Sequence, residues 1–224
     1  MKFLTFSLPF LFFIFGLATL NDYGINWDAV SHLSRGQAYL NYYLTGEQNF
    51  SNLPRQKYFQ KENTIFFSPD IPKTQITRVS IYQYNGDFFQ ERYEYGHPHI
   101  SDVLSSFFNL VLFQKLGLLN DIDSYRVYGV LLSASLVGLV FYWTALSFGK
   151  FAGLVAALSL ALYPLFWAES HFNNEKDIPE AVFITFLLFS FWKGVTGKSW
   201  KWILSSGVFF GLALGTKFNV LFSI

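Results

Sequence analysis

The stretch "NWDAVSHLSRGQAYLNYYLTG", residues 26–46, carries three side chains that handle protons and anions: Asp28, His32 and Arg35. If it is helical, positions i+4 and i+7 from Asp28 share its face. A carboxylate so placed can act as a general base, with the imidazole and guanidinium tuning it or touching a phosphate. The plain alternative for Asp28 is a helix N-cap or first-turn acid, favoured by the helix dipole. Asp22 competes for any catalytic role, and Tyr39, Tyr42 and Tyr43 further along can stack on a sugar or sit in a membrane interface.

A second set of polar residues follows much later. "HFNNEKD", residues 171–177, holds Glu175 and Asp177 at i, i+2, flanked by His171, Asn173 and Asn174. Hard divalent cations such as Mn²⁺ or Mg²⁺ take oxygen ligands, and an acid-x-acid pair in a turn can aim both carboxylates at one ion. The alternative is a solvated loop with ordinary charges. "YEYGHPHIS", residues 93–101, offers His97 and His99 around a proline, as a turn or as donors to an anionic head group. "GLALGTKFN", residues 211–219, puts Lys217 after a G-x-x-x-G, where it can snorkel to the interface or meet a phosphate.

These groups are embedded in a very apolar chain. Of 224 residues 52% are hydrophobic, and they are clumped into runs, which points away from an ordinary soluble domain. Net charge is +1, so attraction to nucleic acid is not indicated. With no cysteine there is no disulfide framework or thiolate chemistry. Residues 3–20 follow Lys2 as an uncharged run without a clear cleavage site, and read as an uncleaved anchor rather than a signal peptide. Further spans are expected at 127–148, 151–168, 180–192 and 202–224, the last still apolar where the sequence stops, as in the N-terminal part of something longer. After the first span, residues 21–100 are polar, aromatic and proline-punctuated, within an outer loop expected over 21–125. They open with a helix at about 28–44 and contain β-prone pieces around the Asn85–Gly86 turn pair.

Residues 100–119 have the length of a span but carry Asp102, Ser105, Ser106 and Asn109 as a polar stripe, and charge decides the reading. Cytoplasmic loops collect Lys and Arg. Lys2, Lys150, Lys193, Lys198 and Lys201 share one side only if 100–119 lies in the interface without crossing. Asp28 and the Glu175/Asp177 loop then fall together on the outer face. The expected fold is an all-α, polytopic transmembrane bundle in a single domain, with a long extracytoplasmic first loop containing interfacial helices.

An acid just beyond the first span, a long outer loop with a His-Pro turn and a second acidic loop resemble the GT-C membrane glycosyltransferases. The chain is most similar to the branch of protein mannosyltransferases and aminoarabinose transferases, as the N-terminal half of such an enzyme. "NWDAV" resembles the first-loop acidic motif, which usually reads Asp-Glu where this chain has Asp28–Ala29. "GHPH" resembles the family's His-Pro-Pro turn, "NNEKDIP" its second acidic motif, and "GTKFN" a family stretch with lysine after a glycine-rich helix. The resemblance implies inverting transfer of a sugar from a polyprenyl-phosphate donor to a protein, lipid or glycan acceptor. The site would lie on the extracytoplasmic face of a multi-pass protein of the plasma membrane or an endoplasmic-reticulum-like membrane, in contact with membrane lipid. It implies Asp28 as base, Asp177 with Glu175 at a divalent cation or orienting substrate, and His97, His32, Arg35 and Lys217 on substrate. The competing reading is a non-enzymatic transporter or lipid-carrier binding protein, whose acids would line a pathway instead of clustering at one outer site.

Overall fold

The computed structural model describes residues 2–50, 78–83 and 97–222. The turn pair Asn85–Gly86 and its expected hairpin lie outside the described residues. Among the described residues the regular structure is helical: α1 (Lys2–Ala18), α2 (Ala29–Thr45), α3 (Ile100–Asn109), α4 (Asp121–Phe148), α5 (Lys150–Ala161), α6 (Pro164–Phe172), α7 (Asp177–Thr196) and α8 (Trp200–Leu214). The protein is an all-α integral membrane bundle. At ~1.5 Å rise per residue, α4 and α7 are long enough to cross a bilayer, and both are apolar enough to do so.

The core joins α1, α4, α5, α6 and α7 through Phe12, Val137, Phe141, Ala157, Phe166, Ile178 and Val182. Lipid tails are as apolar as leucine, so helices in a membrane associate through close packing, and small residues mark the contacts. Gly153 of α5 lies against the Phe141 carbonyl and Ala145 of α4. Large side chains such as Phe6, Phe10, Phe191, Leu204 and Val208 are exposed on the outside, as a lipid-facing surface requires.

The packing partners fix the directions. Gly16 near the end of α1 lies against Val130, early in α4, while Pro9 lies against Gly138, so α1 and α4 are antiparallel. Trp143 near the end of α4 packs on Phe189 and Trp192 near the end of α7, so α4 and α7 run the same way. One end of the bundle therefore carries the start of α1, the α4–α5 junction and the α7–α8 junction, with Lys150, Lys193, Lys198 and Lys201. The other carries α2, α3 and the α6–α7 junction. No acid occurs between residues 124 and 168 or beyond 180, so the acids of the bundle gather at this second end.

Several boundaries differ from the expected spans, α4 among them, which starts at Asp121 and not at 127. Residues 151–168 are not one straight helix: α5 and α6 meet at a 58° bend. Pro164 is the cause, because it cannot donate to the preceding turn and holds Tyr163 extended (φ −71°, ψ 115°). Helix α6 then continues to Phe172 and absorbs Glu169, Ser170 and His171 of the expected polar break. Helix α7 begins at Asp177, ahead of Pro179, which sits in the first turn where backbone N–H groups have no intrahelical partner anyway. Helix α8 stops at Leu214, and a 3-10 turn follows at Phe218–Phe222. Of the G-x-x-x-G pair, Gly215 packs on Ile100 while Gly211 faces open space.

Residues 100–119 form α3, continued by a π-helical turn at Leu110–Lys115 and ended by Gly117 at φ +62°. The polar stripe faces inward: Ser101, Asp102, Ser105, Ser106 and Asn109 are all buried, while Phe107 is exposed. The stripe packs on α2 and on α4, not on water. The cysteine-free chain makes the two ends directly testable. Lys150→Cys and Lys198→Cys should both label from one side of the membrane and Glu47→Cys from the other; labelling of Glu47→Cys and Lys150→Cys from a common side would overturn the arrangement.

Candidate active site

The segment that leads to Asp28 is tied to α4 by one arginine. Arg126, buried, donates to the carbonyls of Leu20, Tyr23 and Gly24 at 2.7 Å each and to Asp123 at 2.8 Å. Two residues later Asn26 clasps the α6–α7 junction, its Nδ2 donating to the Phe172 carbonyl and to Glu175 Oε1, both at 2.6 Å. Its Oδ1 accepts from Ala29 N at 2.6 Å, in the first turn of α2. Asp28 is thereby relieved of capping. It occupies the N-cap position, but its side chain makes no cap hydrogen bond. Instead its Oδ2 accepts from the Lys176 ammonium, a contact between residues 148 apart in the chain. The Lys176 hydrogen bond holds the Asp28 carboxyl below its ordinary range, against the opposing effect of partial burial. Asp22 is exposed in the preceding 3-10 turn and makes no salt bridge among the described residues.

The second acidic loop is gripped as firmly. Asn174 Nδ2 donates to Ser105 Oγ of α3 at 2.6 Å. Asn173 brackets Asp177, donating from Nδ2 to Oδ2 at 2.8 Å and accepting from its backbone N at 3.1 Å. Lys217 donates to Asp177 Oδ1 at 2.6 Å and lies 3.5 Å from Glu180 Oε2. Lys217 is itself positioned by α3, since Ile100 N donates to the Gly215 carbonyl at 2.9 Å and Ser101 Oγ lies 2.8 Å from Thr216 Oγ1.

Glu175 and Asp177 are two residues apart in sequence but have separate partners. Glu175 is 1% exposed and held by Asn26, while Asp177 is held by Lys217 and Asn173. Among the described residues no three His, Asp or Glu side chains come together as a metal cage. Each of the half-exposed carboxylates Asp28 and Asp177 is instead paired with an ammonium, Lys176 and Lys217, so the described residues are not arranged as an Mn²⁺ or Mg²⁺ cage. Burial pushes the Glu175 carboxyl up to about 7, and its Oε2 has no hydrogen-bond partner among the described residues.

Beneath Asp28 on α2 lies a buried ionic cluster. Asp102 of α3, 1% exposed, takes Arg35 Nε at 2.7 Å and Nη2 at 2.6 Å on Oδ2, and has His32 Nδ1 2.9 Å from Oδ1. The face shared by Asp28, His32 and Arg35 is therefore real, but His32 and Arg35 are turned to Asp102. The exposed His97 ring sits 5.7 Å from that of His32, edge to face. Partial burial and the nearby charges of Arg35, His32 and Lys176 lower its pKa, so the imidazole is neutral near pH 7. His99 stacks on Tyr39 with centroids 3.8 Å apart and lies 2.7 Å from Tyr43 Oη.

Asp28, Lys176, Asp177 and Lys217 thus alternate acid and base at one end of the bundle. Sequence reasoning missed Lys176, Asn26 and the central part played by Asp102. Asp102 was visible only as one polar residue in a stripe. Gly36 was the available signal, since a Cβ there would collide with the Asp102 carbonyl and only glycine lets α2 approach α3 this closely.

In comparison with known proteins, the family model described as dolichyl-phosphate-mannose-protein mannosyltransferase matches residues 105–224. No curated protein and no solved structure matches the chain. The match takes in α4 to α8 with Lys176, Asp177 and Lys217, and begins after Asp28.

Glu175 supplies a test of the clasp. Its carboxyl ionises near 4.5 when unfolded and near 7 when folded, so the folded state holds the proton more tightly. That contribution is full below the unfolded value and is lost as pH rises through the folded one. Glu175→Gln keeps an oxygen for Asn26 and carries no charge. Relative to wild type it should gain stability between about pH 5 and about pH 8, by at most about 3 kcal/mol. Thermal unfolding in detergent across that range reads the gain; a difference that does not change with pH would show that Glu175 does not titrate as a buried group.

Proposed function

Because the chain belongs to the dolichyl-phosphate-mannose-protein mannosyltransferase family, a family of membrane glycosyltransferases, we propose that it transfers a sugar from a polyprenyl-phosphate-linked donor to a hydroxyl acceptor, with Asp28 as general base. The observation that carries this reading is the meeting of Asp28, from the first loop, with Lys176 and Asp177, from the second, at the acid-bearing end of the bundle. With the lysine-rich end in the cytoplasm, that end is extracytoplasmic.

In the reaction the acceptor oxygen forms a bond to the anomeric carbon on the face opposite the phosphate. The acceptor's proton passes to Asp28. The bond from the anomeric carbon to the phosphate oxygen breaks, and its electron pair leaves with polyprenyl phosphate, giving inverted configuration. Asp28 suits the role because its carboxylate is ionised, 45% exposed and free of any capping duty. Asp177, fixed by Asn173 and Lys217, orients substrate, and Lys217 contributes positive charge near the departing phosphate. His97 is the exposed histidine beside the cluster and serves as a neutral hydrogen-bonding group to donor. His32 and Arg35, held in place by Asp102, act through it. The acceptor class that best suits the family's description is a protein hydroxyl.

No step is routed through a metal, and turnover should be unchanged by a chelator; loss on chelation with recovery on adding Mn²⁺ or Mg²⁺ would reverse that expectation. Positioned base catalysis is worth roughly 10²–10⁴-fold in rate. Asp28→Asn should lower kcat of the full-length protein by about that factor. Expression and thermal stability should hold, because Asn26 and not Asp28 caps α2. Asp22→Asn should do little. Near-wild-type turnover of Asp28→Asn would remove Asp28 from the mechanism.

A further inference from the structure

Among the described residues four cations stand close to the site, Arg35, Arg126, Lys176 and Lys217, and three of these are committed. Arg35 is buried with both Nε and Nη2 on Asp102. Arg126 is buried and holds one carboxylate and three backbone carbonyls. Lys217 lies between two carboxylates, Asp177 and Glu180. Lys176 is different. Its ammonium pairs with a single carboxylate, Asp28, which is 45% exposed, and its own side chain is 23% exposed. A half-solvated ion pair of this kind is weakly held, because water screens it and two flexible side chains must be ordered to make it. Lys176 also sits within electrostatic reach of His97. Its backbone does not move freely with it, since the neighbours Glu175 and Asp177 are clamped by Asn26 and Asn173. Only the side chain has room to exchange partners.

We propose that Lys176 is an exchangeable counter-ion. In the free protein it pairs with Asp28; when the lipid-linked donor binds, its ammonium moves to the donor phosphate and leaves Asp28 unpaired. This rests on the reading above, in which the donor is a polyprenyl-phosphate sugar and Asp28 the base. The exchange links two needs of the reaction. A carboxylate that has lost its ammonium partner is a stronger base, so Asp28 gains basicity only when a donor is present. The phosphate gains negative charge as its bond to the sugar breaks, so the ammonium is held more tightly in the transition state than in the ground state. The donor's phosphodiester carries one negative charge and becomes a dianion as its bond to the sugar breaks, so the preference of the ammonium for phosphate over the Asp28 carboxylate is greatest at that moment.

The test uses the full-length protein in phosphatidylcholine nanodiscs and reads polyprenyl-monophosphate binding alongside turnover. Lys176→Gln should weaken that binding and raise the donor KM by roughly 10–100-fold, the size of a lost charge-assisted hydrogen bond. The acceptor KM should not move, and Lys176→Arg should recover most of the loss. Asp28→Asn releases Lys176 in advance and should tighten polyprenyl-monophosphate binding. That gain should vanish in the Asp28→Asn/Lys176→Gln double variant. Wild-type binding by Lys176→Gln, or a gain from Asp28→Asn that survives in the double variant, overturns the exchange. So does equal, Lys176-dependent competition by phosphatidylglycerol, which would make this a general site for lipid head groups. If binding depends on Lys176 as expected but no polyprenyl-phosphate sugar supports turnover, the proposed reaction fails and the counter-ion exchange stands.

Discussion

Asp102 is a carboxylate almost without exposure, near the boundary of a membrane, where an unpaired charge costs several kcal/mol. It is tolerated because Arg35 meets one oxygen with two nitrogens and His32 lies against the other. Breaking such a pair is costly for the same reason, so the contact fixes α2 against α3. Much of the candidate site follows from it. Asp28 stands at the N-cap position of α2. Helix α3 holds the Asn174 amide through Ser105 and the Gly215–Lys217 segment through Ile100 and Ser101. Three distant parts of the chain are therefore referred to one short helix.

The same constraint explains why α3 is polar on its packed side. Asn109 Nδ2 donates to Asp121 Oδ1 at 2.7 Å and to Ser124 Oγ at 2.8 Å, and Gln37 Nε2 donates to Asn109 Oδ1 at 3.1 Å and Tyr125 Oη at 2.6 Å. Where little water is available, polar groups stabilise a packing only when they satisfy one another, and a nearly complete network is specific in a way that an apolar face is not. Helix α2 can sit on α3 in one register, which sets the position of Asp28 relative to the second loop.

Much of the architecture was legible in the sequence. The apolar runs located the bundle, and the segregation of lysines from acids placed Asp28 and Asp177 at one end, because charge asymmetry is a property of position along the chain. The polar stripe of α3 is legible as a helix face that suits an interface, but periodicity says nothing of what that face meets, which is α2 and α4. The break at Pro164 was equally open, since proline is tolerated inside α1 at Pro9 yet bends the chain between α5 and α6. Within the site, the acid-x-acid spacing of Glu175 and Asp177 suggested a shared ligand. Spacing cannot show that Asn26, 149 residues away, takes one of the two out of the pair. Lys176, between them, was passed over because a lysine flanked by acids reads as ordinary surface charge.

The environments of Asp28 and Glu175 divide two carboxylates between charged and neutral states. Asp28 is partly solvated and paired to an ammonium, which keeps it ionised. Glu175 is enclosed, with one oxygen on an amide and the other without a hydrogen-bond partner among the described residues, and burial brings its ionisation to about 7. The two are joined through Asn26, whose amide nitrogen holds Glu175 while its oxygen caps the helix that Asp28 begins. Separation of paired carboxylates by environment is how one site keeps an anion and an uncharged acid side by side at one pH. Here the neutral member supports the fold of the loop, and the charged member is left exposed, uncapped and able to accept a proton.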